Sequence, residues 1–421
     1  MSLFRSLPAA ILAASLLTSS AVAQVEMSRL GGLDLFSAGD KGPKSLGGDV
    51  WKGASADIAR SVIPAIGAKP LSPAAKRLAV SLLSTGANGP DGAGSDAALA
   101  AARAKALLAL DEAVAANASV DRAPNLGASE PLSQVAAEAA LLVGEDDRAC
   151  TIADGLQTGR DGLYWLKLRA YCEAIAGKPS AHLSLTLALD KAKDPVYARL
   201  MTALITGTGD PGPPSDRNGL ERALSKRLKL DLPPPPHVDP TPPTTGQAAI
   251  DEIRGSIALG DLQGAKSTRA GLVQDETAGL TANVLAMTDG LLAAATGDNA
   301  GPSLDRLVER GANGFKPAQP AALILAALGA PMGPEARAEF ASFDVGKAAA
   351  SPARIAALDR AAEAGLKGET ALLALSICQD AGAAGPAPAD RARIVLALRK
   401  AGLTDAARDF AVEGLMALPL K

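Results

Sequence analysis

Between Leu110 and Pro211 the chain repeats one short step: Leu110-Asp111-Glu112, Gly144-Glu145-Asp146, Gly177-Lys178-Pro179 and Gly209-Asp210-Pro211. Each step follows a stretch with helical apolar spacing and supplies small, polar or turn-prone residues. Marked at Asp111, Glu145, Lys178 and Asp210, the steps lie 34, 33 and 32 residues apart. The step returns at Gly260-Asp261 and Gly297-Asp298, 37 residues apart. A period near ~34 residues is that of stacked helix pairs, in which no single unit can bury its apolar face alone.

Working outward from this beat, apolar-periodic runs are expected at about 55–66, 72–84, 95–116, 131–143, 147–156, 163–176, 180–191 and 194–206. Asp194-Pro195 opens the last as a cap followed by proline in the first turn. Breakers such as Gly86 to Gly94 and Gly159-Arg160-Asp161-Gly162 separate the runs, and no β-branched stretch alternates over strand length. The second half continues at about 248–259, 264–273, 278–295, 301–310, 318–329, 333–342, 352–364, 368–380, 387–401 and 404–417. The expected fold is all-α, a tetratricopeptide-like α-solenoid of paired helices in two halves.

The expected organisation has five parts. Residues 1–23 read as a signal peptide and 24–54 as an irregular Gly/Ser/Asp-rich lead-in. A helical-repeat domain over 55–206 is followed by a proline-rich linker over 207–246, and a second helical-repeat domain spans 247–421. The linker contains Pro211, Pro213, Pro214, Pro233 to Pro236, Pro240, Pro242 and Pro243, the composition of a semi-rigid spacer. Within it, Leu220, Leu224 and Leu228 mark a short basic amphipathic helix over 217–230. This helix either packs back onto the repeats or docks a partner.

Arg5 supplies a charged leader, Pro8 to Leu17 an apolar core, and Ala21-Val22-Ala23 a small-residue cleavage site before Gln24. An uncleaved anchor needs a longer apolar run than this one, which Thr18, Ser19 and Ser20 interrupt. The later stretch Ala97 to Ala116 carries Arg103, Lys105, Asp111 and Glu112, so no integral membrane span is expected in the mature chain. Abundant Ala, Gly and Pro suggest a GC-rich bacterial source, and the expected location is the periplasm. The chain is 48% apolar and 21% charged, enough to bury a large core. A net charge of −3 and an aromatic content of 3% disfavour nucleic-acid binding.

Cys150 and Cys172 lie either side of the turn at Gly159 to Gly162, with Asp161 at their midpoint in sequence. Antiparallel helices joined there bring the two to one height, and Trp165, Leu168, Cys172 and Ile175 form a stripe expected to be buried. In an oxidising compartment the pair is a disulfide candidate, the alternative being two separate buried thiols. Cys378, in an apolar helix, reads as a buried free thiol. His182 and His237 are the only histidines, and no His/Cys set has zinc spacing. No G-x-S-x-G elbow, P-loop or H-E-x-x-H occurs, and Gly31-Gly32 and Gly47-Gly48 lack a strand-turn-helix context. Asp111/Glu112 and Asp146/Asp147 read as solvated caps. No catalytic, cofactor-binding or metal-ligating residue is therefore assigned, no cofactor is expected, and the chain reads as a non-enzyme. A cluster of polar side chains converging in one deep pocket is the feature that reopens the enzyme reading.

Asp147-Arg148-Ala149-Cys150, the run Tyr164 to Gly177 and the C-terminal run Ala392 to Leu418 resemble exported alphaproteobacterial helical-repeat proteins of tetratricopeptide-like type, uncharacterised and sometimes labelled antifreeze-polypeptide-like. The resemblance implies a periplasmic repeat protein. An ice-binding role finds no support, since the Ala stretches lack a Thr/Ala lattice. The expected function is a non-enzymatic periplasmic scaffold or adaptor that binds another cell-envelope protein. The alternative is an accessory protein binding peptidoglycan or exported polysaccharide. Sugars stack on Trp or Tyr, and only Trp51, Trp165, Tyr164, Tyr171 and Tyr197 are on offer.

Overall fold

The computed structural model describes residues 34–43, 45–231 and 245–420. The signal-peptide reading, the proline run over 232–244 and His237 lie outside the described residues.

The described residues form twenty α-helices and no strand. In the first half these are α1 (Ala56–Val62), α2 (Pro73–Ser84), α3 (Ala97–Ala109), α4 (Ala113–Val120), α5 (Glu130–Val143), α6 (Asp146–Gly155), α7 (Leu163–Ile175), α8 (Ala181–Lys191), α9 (Pro195–Thr206) and α10 (Gly219–Arg227). In the second half they are α11 (Thr245–Ala258), α12 (Leu262–Ala270), α13 (Ala282–Thr296), α14 (Ala300–Ala312), α15 (Ala318–Ala327), α16 (Pro334–Phe340), α17 (Pro352–Glu363), α18 (Lys367–Ala381), α19 (Pro388–Lys400) and α20 (Thr404–Ala417). Helices pack in sequence against their neighbours, as in an all-α helical-repeat solenoid.

Every occurrence of the beat falls at a helix boundary. It closes α3, α5, α7 and α9, and it separates α11 from α12 and α13 from α14. Gly144, with φ +86°, ends α5 in the left-handed conformation that a side chain resists. At the start of α9 the Asp194 carboxylate accepts from the Tyr197 amide at 3.2 Å, with Pro195 in the first turn. One expected run is corrected. Residues 95–116 are not one helix, because the chain breaks after Ala109, Asp111 takes φ +65°, and α4 starts afresh at Ala113.

Direct packing of α3 on α5 and of α7 on α9 gives the first half an inner row of helices, with α4, α6 and α8 as their hairpin partners. One apolar cluster follows this half from Leu35 and Ala100 through Trp165 and Tyr197 to Leu224. The larger cluster draws on both sides of the proline stretch, joining Phe36, Trp51, Leu82 and Leu107 to Leu304, Leu375, Leu398 and Phe410. Here α1 packs on α18, and α2 packs on α18 and α20. Gly368 admits the approach: its amide donates to Val50 O at 2.7 Å, and a Cβ there would come within 2.8 Å of the Trp51 ring. The first helices of a stack have no preceding unit to cover them, and here α18 and α20 pack against α1 and α2.

Arg103 holds the lead-in to this frame. It is 1% exposed and donates to the carbonyls of Leu83 (2.6 Å), Thr85 (2.9 Å), Phe36 (3.1 Å) and Ala38 (3.1 Å). Burial pushes its guanidinium down to about 10, against the pull of Asp34, so it stays charged at neutral pH.

Candidate functional site

The inner row and α10 line an open cavity of about 640 Å³. Ala98, Ala101, Ala102, Lys105 and Leu108 of α3 line one wall, and Glu130, Pro131, Gln134, Val135 and Glu138 of α5 line the next. Leu163, Tyr164 and Lys167 of α7, Tyr197 of α9, and Asn218, Leu220 and Glu221 at the start of α10 complete it. The spacing on α3 and α5 is that of one helical face, so each helix contributes a continuous strip.

The short helix α10 packs back onto α5 and α9, burying Leu220, Ala223 and Leu224 in the first-half core. That settles the open reading of the amphipathic segment over 217–230: it packs on the repeats. Glu138 anchors its start, accepting from the Gly219 amide and from the Tyr164 hydroxyl at 3.1 Å. Asn218 caps the helix by accepting from the Glu221 amide at 2.9 Å. Arg227, in its last turn, pairs with Asp146 at 2.7 Å.

The charges of the wall and the partners behind it fall into two groups. Lys167 donates to Asp194 at 2.7 Å, Arg217 to Asp194 at 2.9 Å, and Arg217 Nε to Glu221 at 2.7 Å. Burial pushes the Asp194 carboxyl up, but Lys167, the Tyr197 amide and Arg217 outweigh it and hold it at about 2. Burial likewise opposes the ionised form of Glu221, and Arg217, Ser215 and Asn218 bring it below its ordinary value. Glu138 goes the other way. Burial raises it, the Gly219 amide and Tyr164 only partly offset this, and nearby Glu221 adds to the rise. Burial, then Glu138 itself, raises the Tyr164 hydroxyl well above its usual range.

The sequence assigned one pair of residues to a site, and neither lines this cavity. Cys150 on α6 and Cys172 on α7 are joined by a disulfide, with Cα atoms 5.6 Å apart. It pins the later turns of the helix whose first turns carry Tyr164, Trp165 and Lys167. The expected burial of Cys172 is corrected: it is half-buried, and Tyr171 beside it takes the fully buried place on α7. Cys378 is a buried free thiol that burial pushes up to about 12. His182 is exposed on α8. Among the described residues no group of three or more His, Cys, Asp and Glu is placed to hold a metal ion, and no helix is long and apolar enough to cross a membrane.

Sequence reading passed over Glu130, Gln134 and Glu138. They were visible as a polar strip at i, i+4 and i+8 on an apolar helix, but a solvated face carries the same pattern. The polar cluster named as the reopening feature for an enzyme is present in this cavity. Its members already hold one another, with Glu138 and Glu221 fixing α10 and Asp194 fixing α9. What the arrangement offers is an apolar floor ringed by placed charges and carboxamides.

Fold and cavity together define an all-α protein of sequentially stacked helix pairs with a cavity on its inner row. No protein-family model, curated protein or solved structure matches the chain.

Proposed function

We propose that this chain is a non-enzymatic periplasmic adaptor that holds a segment of another cell-envelope protein in the inner-row cavity. The observation that carries the reading is the cavity itself, about 640 Å³, walled by α3, α5, α7, α9 and α10. A concave, largely apolar site with a few fixed polar groups suits side chains of a bound segment. The aromatic rings support this over the glycan alternative. Trp51, Trp165, Tyr171 and Tyr197 are all 0% exposed, which leaves the half-buried Tyr164 as the only ring among them for a sugar to stack on. The resemblance to exported repeat proteins supports the periplasmic placement, and the disulfide suits an oxidising compartment.

The test is a photo-crosslinking residue at Gln134, exposed on the cavity wall, with a control at Thr186 on the outer face of α8. In living cells, Gln134 is expected to capture one reproducible envelope protein that Thr186 does not. Identical capture at both positions, recovery of glycan alone, or turnover of an envelope polymer by the purified protein would overturn the reading.

A further inference from the structure

Two carboxylates of the cavity wall, Glu130 and Glu138, have no ion-pair partner among the described residues. Glu130 and Glu138 lie on one face of α5, eight residues and so about 12 Å apart along the axis, with Gln134 between them. Glu130 accepts from the Trp165 indole at 2.9 Å, and Glu138 from the Tyr164 hydroxyl and the Gly219 amide. All three donors are neutral. Among the described residues no lysine or arginine forms an ion pair with either carboxylate. The neighbouring acids differ in this respect: Glu221 has Arg217, and Asp194 has both Lys167 and Arg217. Lys105, the remaining cation of the lining, is exposed, where water screens it.

A carboxylate drawn out of water without a counter-charge is destabilised, and a cation brought to it recovers that cost. The floor leading to Glu138 is aliphatic, formed by Ala101, Leu108, Val135 and Leu220. Lysine and arginine have this dual character, with a methylene stem that packs on apolar surface and a charged head. We infer that the segment held in this cavity presents a lysine or arginine, its stem on the aliphatic floor and its head between Glu130 and Glu138. The inference rests on the proposed adaptor reading and adds the chemistry of the partner.

The cationic head favours the ionised form of Glu138, which Tyr164, the Gly219 amide and Glu221 face, with Lys105 and Lys167 elsewhere in the lining and Asp194 and Arg217 paired behind it. Binding in mildly acidic buffer therefore releases protons, and affinity falls as acid protonates Glu138.

The chain holds two tryptophans, which makes the test local. Trp165 donates its indole N–H to Glu130, whereas the buried Trp51 indole has no hydrogen-bond partner among the described residues. Indole N–H resonances of the ¹⁵N-labelled protein are followed on adding acetyl-Leu-Lys-Leu-amide, acetyl-Leu-Glu-Leu-amide or 1,5-diaminopentane. The lysine peptide is expected to move Trp165 and leave Trp51 in place, at least about tenfold more tightly than the other two probes. Glu130→Gln is expected to weaken the lysine peptide about tenfold, and Glu138→Gln, which keeps a hydrogen-bonding head on α5, to do the same. Equal or tighter binding of the glutamate peptide, equal binding of the free diamine, movement of both indoles, or silence at millimolar peptide would overturn the inference. Silence accompanied by a partner captured at Gln134 removes the charge assignment alone; silence with no captured partner removes both.

Discussion

The carboxylate of Glu413, on α20, accepts a hydrogen bond from the backbone amide of Ala74 at 2.5 Å, 339 residues earlier. It caps α2 in place of Ser72, the adjacent N-cap residue, whose own hydroxyl is buried and has no partner among the described residues. Arg391, 4% exposed, holds Glu413 at 2.6 Å. One of the contacts that join α2 to α20 is therefore a helix cap whose acceptor is held in place by an ion pair between α19 and α20. Glu413→Ala leaves Arg391 buried without its counter-charge, and breaking such a pair costs about 3 kcal/mol or more. The loss is expected as an earlier urea midpoint, and loosening of the end-to-end packing as faster amide exchange in α2.

Cys150→Ser and Cys172→Ser are each expected to lower stability by about 3 kcal/mol, since they open a loop of 22 residues. The double mutant is expected to match either single one, because both remove the same bond. Denaturant unfolding of all three under non-reducing conditions checks this, and additive losses contradict the bond.

Arg103→Met is expected to cost about 3 kcal/mol. A methionine fills part of the space but leaves the carbonyls of Leu83, Thr85, Phe36 and Ala38 without their donor. Proteolysis within residues 34–43 of the variant reports whether the lead-in has come free.

Glu138 of the cavity wall and Asp194, which pairs with the wall residue Lys167, give opposite dependences on pH. Asp194, held at about 2, contributes stability that is present above the ordinary value of 3.8 and is lost as pH falls towards 2. Asp194→Asn is expected to remove that acid-side loss. Glu138 is raised above 4.5, so the folded chain binds a proton there that the unfolded chain has released. Stability is expected to fall as pH rises from 4.5 through the raised value. Glu138→Gln is expected to flatten that segment of a stability-against-pH curve measured by denaturant midpoint.

The local code of this chain is readable because its signals act within one or two turns. Asp194-Pro195 starts α9, Gly144 ends α5, and most of the helices fall within a residue or two of where spacing alone puts them. The break inside 95–116 was legible too, since Leu110-Asp111-Glu112 is a beat of the repeat, but the Ala-rich run on either side hides it. The disulfide pairing was accessible by the same short-range logic, because two cysteines equidistant from a tight turn meet if the helices fold back on each other.

The sequence alone determined an all-α chain of paired helices and the positions of its turns, because helix periodicity and caps are set by residues three to eight apart. Only the tertiary structure decided that Glu413 closes α2, that Arg103 gathers carbonyls from the lead-in, and that α10 folds back to wall a cavity. Each of those depends on groups tens to hundreds of residues apart, and a buried glutamate and a solvated one look alike until the packing that removes the water is known.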